Sequence, residues 1–383
     1  MEESSPRLKE ELLGLFQWLH RHPELGFEEA ETTKRIRELL TREGIEILDS
    51  PLKTGLIAQV TGAKPGRMIG LRCDIDALPI QEESGLEYAS AIPGKMHACG
   101  HDFHTAVMLG AAILLKRREA ELSGTVRIVF QPSEENANGA QAAVNSGLLD
   151  DVEEFYGVHS YPWFEAGTLG IKEGPVMAAP DRFAITIRGK GSHAAEPNKG
   201  RDPIPAAATI ALAAQSIVSR SIDPFSPAVV SITHMEAGNT WNVVPVTAFL
   251  EGTVRTLNPG VREHIQRELA RISESSAATY GCTAEFRWHN GPAAVINDDE
   301  LCRAVRELAL EMGYQVDRQE DTMGGEDFSE YLRLCPGVFI RVGTGGSYPS
   351  HHPQFTVDPN ALWPAANFFA RLAMERTLPE LRA

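Results

Sequence analysis

The densest group of potentially reactive side chains lies between residues 97 and 104. This segment of eight residues contains His97, Cys99, His101, Asp102 and His104, although the whole chain has only 12 histidines and five cysteines among 383 residues. Thiolates, imidazoles and carboxylates are the ligands preferred by zinc and neighbouring first-row metals. Cys99 and His101 point the same way if the segment is extended, and a helix that begins near Asp102 would fix their direction. The segment therefore predicts a metal site, and the plainer alternative is a polar turn that caps a helix.

A pair of adjacent carboxylates, Glu134 and Glu135, follows the hydrophobic strand-like run 126–130. In open α/β sheets, functional sites lie beyond the carboxyl ends of strands. Neighbouring carboxylates on such a turn point differently, so one can bind a metal while the other transfers a proton. His159 and the pair His351-His352 occupy two further strand-end positions. The alternatives are a solvated acidic pair and histidines that form structural hydrogen bonds.

Strands alternate with helices in the segments that carry these residues. Apolar residues at helical spacing predict helices near residues 8–19, 30–42 and 106–114, and short apolar runs at 56–60, 68–71 and 126–130 predict strands. A helix, a strand and a helix follow again after residue 291. This alternation predicts an α/β fold with a sheet covered by helices on both faces.

Residues 181–290 follow a different pattern. Their predicted elements run in the order β-α-β-β-α-β, which is a split βαβ sandwich of the ferredoxin type. About 110 residues suffice for a self-contained domain inserted into the larger one. The sequence therefore predicts a discontinuous larger domain, residues 1–180 and 291–383, and an inserted domain, residues 181–290.

Charge and composition exclude several classes of partner. Lys and Arg number 36 against 52 Asp and Glu, and the net charge of −16 is unsuited to nucleic acid or an anionic membrane. No apolar run approaches the ~18 residues that cross a bilayer, and the first residues lack a signal-peptide pattern. The five scattered cysteines argue against a disulfide framework and for a reducing compartment. We therefore expect a cytoplasmic protein without nucleic-acid or membrane partners.

Eight motifs match one known family in order over nearly the whole chain. They are HRHPELGFE (20–28), LRCDIDALP (71–79), MHACGHDFH (96–104), QPSEE (131–135), GVH (157–159), GKGSHAAEP (189–197), WNVVP (241–245) and MGGEDF (323–328). The chain resembles the metallo-amidohydrolase and peptidase family of indole-acetyl-amino-acid hydrolases, hippurate hydrolases and N-acyl-amino-acid deacetylases, which are relatives of the aminoacylases. The resemblance implies a zinc-exopeptidase-like catalytic domain, with a mixed sheet between helices, and an inserted ferredoxin-like domain that acts as a lid and dimerisation domain.

The resemblance also implies roles for residues of the larger domain. Five positions match the ligands of a site for two divalent metal ions (Mn, Zn, Co or Ni): Cys99, His101, Glu135, His159 and His351. Glu134 matches the catalytic acid/base and Asp76 the carboxylate that orients the site. Asp74 stands where the wider aminoacylase group has a metal-binding histidine, a departure that is normal for the branch with the Cys-Gly-His motif. His352 is the alternative to His351.

In the inserted domain, the resemblance assigns three further residues. His193 would stabilise the oxyanion from the lid, acting on the active site of a partner chain, and Asn242 and Arg255 would hold the free carboxylate of the substrate. From the sequence alone, His193 is equally well an exposed turn histidine, and Arg255 on its strand could form a cross-strand ion pair. The resemblance further implies a homodimer or higher homo-oligomer formed through this domain.

We therefore predict a metal-dependent amidohydrolase that cleaves N-acyl-L-amino acids, such as N-acetyl or N-benzoyl conjugates, to a carboxylic acid and an amino acid. One alternative is a dipeptidase or aminopeptidase with the same metal site. A second is a non-catalytic metal-dependent binding or scaffold protein, which an intact Glu134 disfavours. A third is a cysteine protease that pairs Cys99 with His101 or His159, which leaves the paired glutamates and His351 without a role.

Overall fold

The computed structural model describes residues 6–318 and 320–379. Contacts within the chain divide it into two compact units. The larger unit contains the described residues up to Gly174, those of 296–320 and those from Asp327 onward. The smaller unit contains residues 175–295 and the short segment 321–326.

The helices and strands of the described residues are numbered in chain order. The α-helices are α1 (Pro6–Arg21), α2 (Ala30–Arg42), α3 (His101–Arg117), α4 (Gly139–Val144), α5 (Pro203–Ser216), α6 (Pro259–Thr279), α7 (Asp299–Glu311) and α8 (Leu362–Arg376). The first eight strands are β1 (Glu46–Ile47), β2 (Leu56–Thr61), β3 (Lys64–Asp74), β4 (Ser123–Gln131), β5 (Glu154–Tyr161), β6 (Thr168–Gly170), β7 (Gly174–Met177) and β8 (Ala179–Arg188). The others are β9 (Ser192–His193), β10 (Ala228–Ala237), β11 (Val243–Val244), β12 (Thr247–Thr256), β13 (Thr283–His289), β14 (Val295–Asn297), β15 (Gln315–Asp317) and β16 (Gly337–Gly343).

The larger unit is built on a mixed sheet of eight strands in the order β1-β2-β4-β3-β5-β16-β6-β15. The four central strands, β4, β3, β5 and β16, are parallel to one another, and the flanking strands β2 and β6 pair with them antiparallel. They read as nearly continuous apolar runs, as parallel strands buried on both faces do. Their parallel direction brings four carboxyl ends to one edge of the sheet.

Helix α3 is the most buried helix of this unit. Apolar and small residues surround it almost entirely, because it packs on the sheet and is covered by α1 and α8. Gly110 allows the close approach of α1 and α8, since a Cβ there would lie 2.8 Å from Ala366 and from Leu12. This packing fixes the position of His101 at the first residue of α3.

The smaller unit contains an antiparallel sheet in the order β10-β12-β8-β13, with α5 and α6 in the connections. The chain order β8-α5-β10-β12-α6-β13 is the predicted β-α-β-β-α-β arrangement. Alternating residues such as Phe183, Ile185 and Ile187 on β8 face a core shared with the two helices. A partly buried ion pair between Arg262 and Asp181 (2.6 Å) links α6 to the start of β8.

The predicted fold class, an α/β catalytic unit with a ferredoxin-like unit, is confirmed by this topology. The sequence analysis placed residues 321–326 in the larger domain, whereas the contacts group this segment with the smaller unit. The chain therefore passes between the two units more than twice. The lid and dimerisation roles of the smaller unit stay predictions. None of the described helices combines the length and apolarity needed to span a membrane.

Candidate metal centre

The candidate ligands of the larger unit lie at the shared carboxyl edge of the central strands. Asp74 is the last residue of β3, and Asp76 follows two residues later. Glu134 and Glu135 lie in the turn after β4, and His159 lies near the end of β5. The remaining candidates are Cys99 and His101, just before and at the start of α3, and His351 in the loop after β16. The structure thus brings together all five residues predicted as metal ligands.

Cys99 and His101 are presented by a tight turn into α3. Gly100, between them, has a left-handed backbone (φ 85°), which favours glycine. A Cβ on Gly100 would also lie 2.5 Å from the Ser160 hydroxyl. Glycine is therefore required here both by conformation and by space.

Two overlapping triads of ligand atoms form the centre. Cys99, His101 and His159 make one triad, and Cys99, Glu135 and His351 make the other, with the atoms of each triad within 4.8 Å of one another. The Cys99 Sγ lies 3.5 Å from His159 Nε2, and His351 Nε2 lies 3.3 Å from Glu135 Oε1. Cys99 is therefore common to both triads.

The donor set fits divalent metal ions. His101 Nε2 is buried, lies 3.8 Å from Glu135 Oε1 and has no hydrogen-bond partner among the described residues. Buried polar atoms normally have a partner, and two lone pairs directed at one space favour a cation between them. One thiolate, three imidazoles and one carboxylate make a mixed N/O/S set that suits zinc and its first-row neighbours.

Asp76 orients two of these ligands. Its Oδ1 lies 3.1 Å from His101 Nδ1, and its Oδ2 accepts a hydrogen bond from the Glu135 backbone N–H at 3.1 Å. A carboxylate on one ring nitrogen of a histidine fixes the tautomer in which the other nitrogen carries the lone pair. The geometry therefore supports an orienting function for Asp76, and leaves His101 Nε2 directed at the centre.

The charges around the centre favour a cation. Burial alone would lower the pKa of His101, but the charge of Asp74 and the hydrogen bond with Asp76 raise it well above its ordinary value. Hydrogen bonds with Cys99 and Glu135 raise the pKa of His351 to about 10. Both histidines thus sit in an excess of negative charge, which a bound divalent ion would neutralise.

Glu29 stabilises the turn that carries Glu134 and Glu135 through hydrogen bonds. The Ser133 N–H and the Thr54 hydroxyl both donate to the fully buried Glu29 carboxylate, at 2.8 and 2.7 Å. Ser133 has a left-handed backbone (φ 52°), so the turn is strained and depends on such contacts. The Glu134 carboxylate lies within 4.8 Å of the ligand atoms of His101 and Glu135.

A fully buried ionic network lies behind the centre. The Arg72 guanidinium lies 2.9 Å from Asp74 Oδ2 and 3.1 Å from Asp327 Oδ1, and its Nε donates to Gln131 at 2.7 Å. Burial would raise the pKa of the Asp74 carboxyl, but the positive charges of His101 and Arg72 hold it well below its ordinary value. The Asp74 carboxylate is therefore ionised. Arg72 lies beside one of its oxygens, and His104 Nδ1 lies 2.5 Å from the other.

The two candidates in the His351-His352 pair are separated by the loop. His351 has φ 68°, and its N–H donates to the Ala98 carbonyl at 2.7 Å, which places its ring beside Glu135. The His352 ring instead stacks on Tyr348 with centroids 4.4 Å apart. The geometry favours His351 as the ligand.

The residues predicted in the inserted domain occupy two parts of the smaller unit. His193 is exposed on β9 and pairs with Val243 of β11, next to Asn242. Arg255 is half-buried near the far end of β12, where its Nε donates to Thr253 at 3.2 Å. Thr247, at the other end of β12, is eight residues from Arg255, and at ~3.4 Å per residue of strand the two residues are about 27 Å apart. Within this unit, Arg255 is thus far from the end of β12 near His193 and Asn242.

Sequence reasoning missed Glu29, Arg72 and Ser160 as parts of the centre. Glu29 directly follows the first family motif, and Arg72 is a charged residue inside an apolar strand, a pattern that indicates a buried ion pair. Ser160 adjoins His159 and gave no signal of its own.

Family comparison places this centre in a known class. Residues 70–375 match Peptidase family M20/M25/M40, and the chain belongs to this family. Membership confirms the resemblance inferred from the motifs and the predicted class, a hydrolase acting on amide bonds.

Three relatives illustrate the similarity. The chain is 50% identical to a Bacillus subtilis protein named N-acetylcysteine deacetylase, over 95% of this chain and 96% of that protein. It is 35% identical to a Saccharolobus solfataricus protein named thermostable carboxypeptidase 2, over 96% and 98% of the two chains. A crystal structure of a Bacillus subtilis protein, described as a dinuclear metal-binding peptidase of the M20 family, superposes with a TM-score of 0.89 at 46% identity and covers 97% of this chain and 99% of that one.

Proposed function

We propose that this protein is a metal-dependent amidohydrolase that cleaves N-acyl-L-amino acids to a carboxylic acid and a free amino acid. The observation that carries the proposal is the pair of triads that share Cys99, with the Glu134 carboxylate beside them. A pair of sites with one common ligand is the arrangement that holds two ions close together.

Each triad would hold one divalent ion, Mn, Zn, Co or Ni. His101 and His159 would hold the first, Glu135 and His351 the second, and the Cys99 thiolate would contact both. The bound ions would supply Lewis acidity toward the scissile carbonyl and would acidify a water.

Glu134 supplies the proton transfer. Its carboxylate accepts a proton from the attacking water and then delivers it to the leaving nitrogen, as a general base that becomes a general acid. Its position near His101 and Glu135 puts it within reach of a water at the centre. Asp76 keeps His101 and the Glu135 backbone in place during both steps.

The substrate class follows from the leaving group and from the relatives. The named activity of the 50%-identical relative is removal of an acetyl group from an amino acid derivative. The half-buried Arg255 offers a guanidinium fork for the free carboxylate of such a substrate. The carboxypeptidase name of the 35%-identical relative supports a second candidate, a peptidase that cleaves free peptides with the same centre.

A homodimer would complete this site. The ~27 Å of β12 between Arg255 and the end near Asn242 cannot be spanned by one small substrate. We infer that His193 and Asn242 do not act on the same substrate molecule as the Arg255 of their own chain, and that His193 serves the active site of a partner chain. A cytoplasmic location agrees with the five cysteines, all of which are free.

The test separates the metal ligands from the proton carrier. Purified protein should bind about two divalent ions per chain and release free amino acid from acetylated amino acids faster than from dipeptides. Glu134→Gln should keep its metal and lose turnover by ~10²-fold or more, the scale of general acid–base catalysis. Glu135→Gln should lose metal, and so should Cys99→Ala.

Three results would contradict the proposal. Full activity after exhaustive chelation would exclude metal dependence. Equal metal loss in both glutamate variants would show that the two roles are wrongly divided. Faster release from dipeptides than from acetylated amino acids would favour the peptidase.

A further inference from the structure

His104 is one of the residues of segment 97–104 to which the proposed function gives no role. It is fully buried on the first turn of α3, three residues after the ligand His101. Its Nδ1 lies 2.5 Å from Asp74 Oδ1, and its Nε2 lies 2.6 Å from the backbone nitrogen of Ser160. His104 therefore links the end of β3 to the end of β5.

The partners of His104 determine its tautomer. The Ser160 backbone N–H can only donate, so His104 Nε2 must carry a lone pair. The Asp74 carboxylate accepts, so His104 Nδ1 must carry the proton. This neutral form is the one state in which both hydrogen bonds exist.

Ser160 transmits this arrangement to two metal ligands. Its carbonyl accepts a hydrogen bond from His159 Nδ1 at 2.7 Å, which leaves the lone pair of His159 on Nε2, the atom that faces Cys99 Sγ. Its hydroxyl donates to the Cys99 carbonyl at 3.0 Å. The buried Ser160 thus makes three hydrogen bonds that fix the strand end, the imidazole and the cysteine.

We propose that Asp74, His104 and Ser160 form a positioning chain that sets the tautomer and direction of His159 and the backbone of Cys99 for metal binding. The inference rests on the proposed function, because it concerns the ion held by Cys99, His101 and His159. In this scheme Asp74 acts through His104 and is not itself a ligand of the ion: its Oδ1 lies 2.5 Å from His104 Nδ1, and its Oδ2 lies 2.9 Å from Arg72 and 3.6 Å from His101 Nε2.

The chain explains what Asp74 contributes. Arg72 neutralises the carboxylate on one side, so Asp74 remains an acceptor for His104 without adding a net charge to the ion site. Outer partners of metal-binding histidines commonly change metal affinity by 10- to 100-fold when they are removed. His104 acts one residue further out, through a backbone amide.

The test uses cobalt binding to the whole protein. His104→Leu keeps a buried side chain of similar volume and removes both hydrogen bonds. We expect the Co²⁺ affinity of the site formed by Cys99, His101 and His159 to fall by about 10- to 100-fold in competition with a chelator, and the thiolate-to-cobalt absorption to shift. His104→Gln has an amide that can donate to Asp74 and accept from Ser160, so it should recover most of the affinity.

Two further variants separate positioning from general stability. Ser160→Ala removes only the bond to the Cys99 carbonyl, and we expect a smaller loss of Co²⁺ affinity with an altered charge-transfer band. Thr377→Val is the matched control, because it removes a buried hydroxyl that donates to Ala373 at 2.8 Å in α8. It should lower stability and leave both the Co²⁺ affinity and the spectrum unchanged.

The outcomes distinguish this proposal from the proposed function. If the wild-type protein binds no Co²⁺, the proposed function fails before any variant is compared. If the wild-type protein binds two ions and His104→Leu binds them with the same affinities and spectrum, only the positioning chain is refuted. Should His104→Leu fail to fold, Ser160→Ala decides: wild-type affinity and spectrum in that variant overturn the proposal, and a weakened, shifted site supports it.

Discussion

The buried residue His20 should make the stability of the protein fall as the pH rises from 7 to 9. Its Nδ1 lies 2.6 Å from Asp102 Oδ2 and its Nε2 lies 3.1 Å from Glu82 Oε1, so both ring nitrogens face carboxylates. Burial alone would lower the pKa of His20, but the charges and hydrogen bonds of Asp102 and Glu82 raise it to about 10. His20 is therefore a buried imidazolium that bridges α1 to the first turn of α3.

The size of the effect follows from the two pKa values of His20. An unfolded histidine titrates near pH 6.5, whereas the folded group keeps its proton to about pH 10. The extra proton affinity of the folded state stabilises it by about 4 kcal/mol at pH 7 and by about 1 kcal/mol at pH 9. This contribution is complete below pH 6.5 and is lost as the pH approaches 10. We expect the free energy of unfolding to fall by about 2–3 kcal/mol from this group between pH 7 and pH 9.

His20→Gln tests this reasoning. The glutamine cannot carry the charge, so Asp102 and Glu82 remain as buried carboxylates without a cation, and the variant should be about 3–5 kcal/mol less stable at pH 7. The free energies of unfolding in urea are compared at pH 7 and pH 9, with chelator throughout to exclude metal loss. The pH dependence attributed to His20 should disappear.

His22→Gln is the matched control. The His22 Nδ1 lies 2.7 Å from the Trp18 carbonyl, and its ring stacks on that tryptophan rather than on a carboxylate. This variant should keep the wild-type difference between pH 7 and pH 9. A His20→Gln variant with the wild-type pH dependence would refute the assignment of a buried imidazolium.

Two further predictions concern the turn after β4 and the partner chain. Glu29→Leu removes the acceptor for the Ser133 N–H and should cost about 1–3 kcal/mol, with a larger change in kcat than in KM because the turn carries Glu134. Glu29→Gln should have a milder effect, since its amide oxygen can accept from Ser133 and its amide nitrogen can donate to the Thr54 hydroxyl. Urea unfolding measures the stability of the two variants and steady-state kinetics measures their kcat and KM. A wild-type kcat in Glu29→Leu would contradict the prediction. His193→Ala and Glu134→Gln, each nearly inactive alone, should recover up to about a quarter of wild-type activity when their subunits exchange at random in a two-fold dimer. No recovery despite demonstrated exchange would show that His193 does not act on a partner chain.

The turn at residues 133–135 shows where prediction from the sequence ended. The position of Glu134 and Glu135 after a hydrophobic strand was enough to place them at a sheet edge. The hydrogen bond that joins this turn to Glu29 was not predictable, because Glu29 and Ser133 lie 104 residues apart and no sequence pattern indicates that they are in contact. The same holds for the contact of Arg72 with Asp327 across 255 residues.

The loop at residues 351–352 shows a different limit. Two adjacent histidines have the same chemistry, so their types do not distinguish the ligand. The left-handed backbone of His351 and the bond of its N–H to Ala98 turn one ring toward Glu135 and leave the other on Tyr348. Only the conformation of the loop makes that choice.

The sequence by itself predicted the chemistry of this protein and the order of its helices and strands along the chain. Residue types are local, so the candidate ligands around Cys99, the proposed proton carrier Glu134 and the alternation of helices and strands can all be read from the chain. The tertiary structure alone decided which atoms meet. Cys99 is common to two triads because the four parallel strands end at one edge of the sheet. Asp74 contacts Arg72 and His104, and these contacts hold the end of β3 in place. These arrangements depend on contacts between residues far apart in the chain, and such contacts exist only once the apolar faces of the sheet and helices have packed.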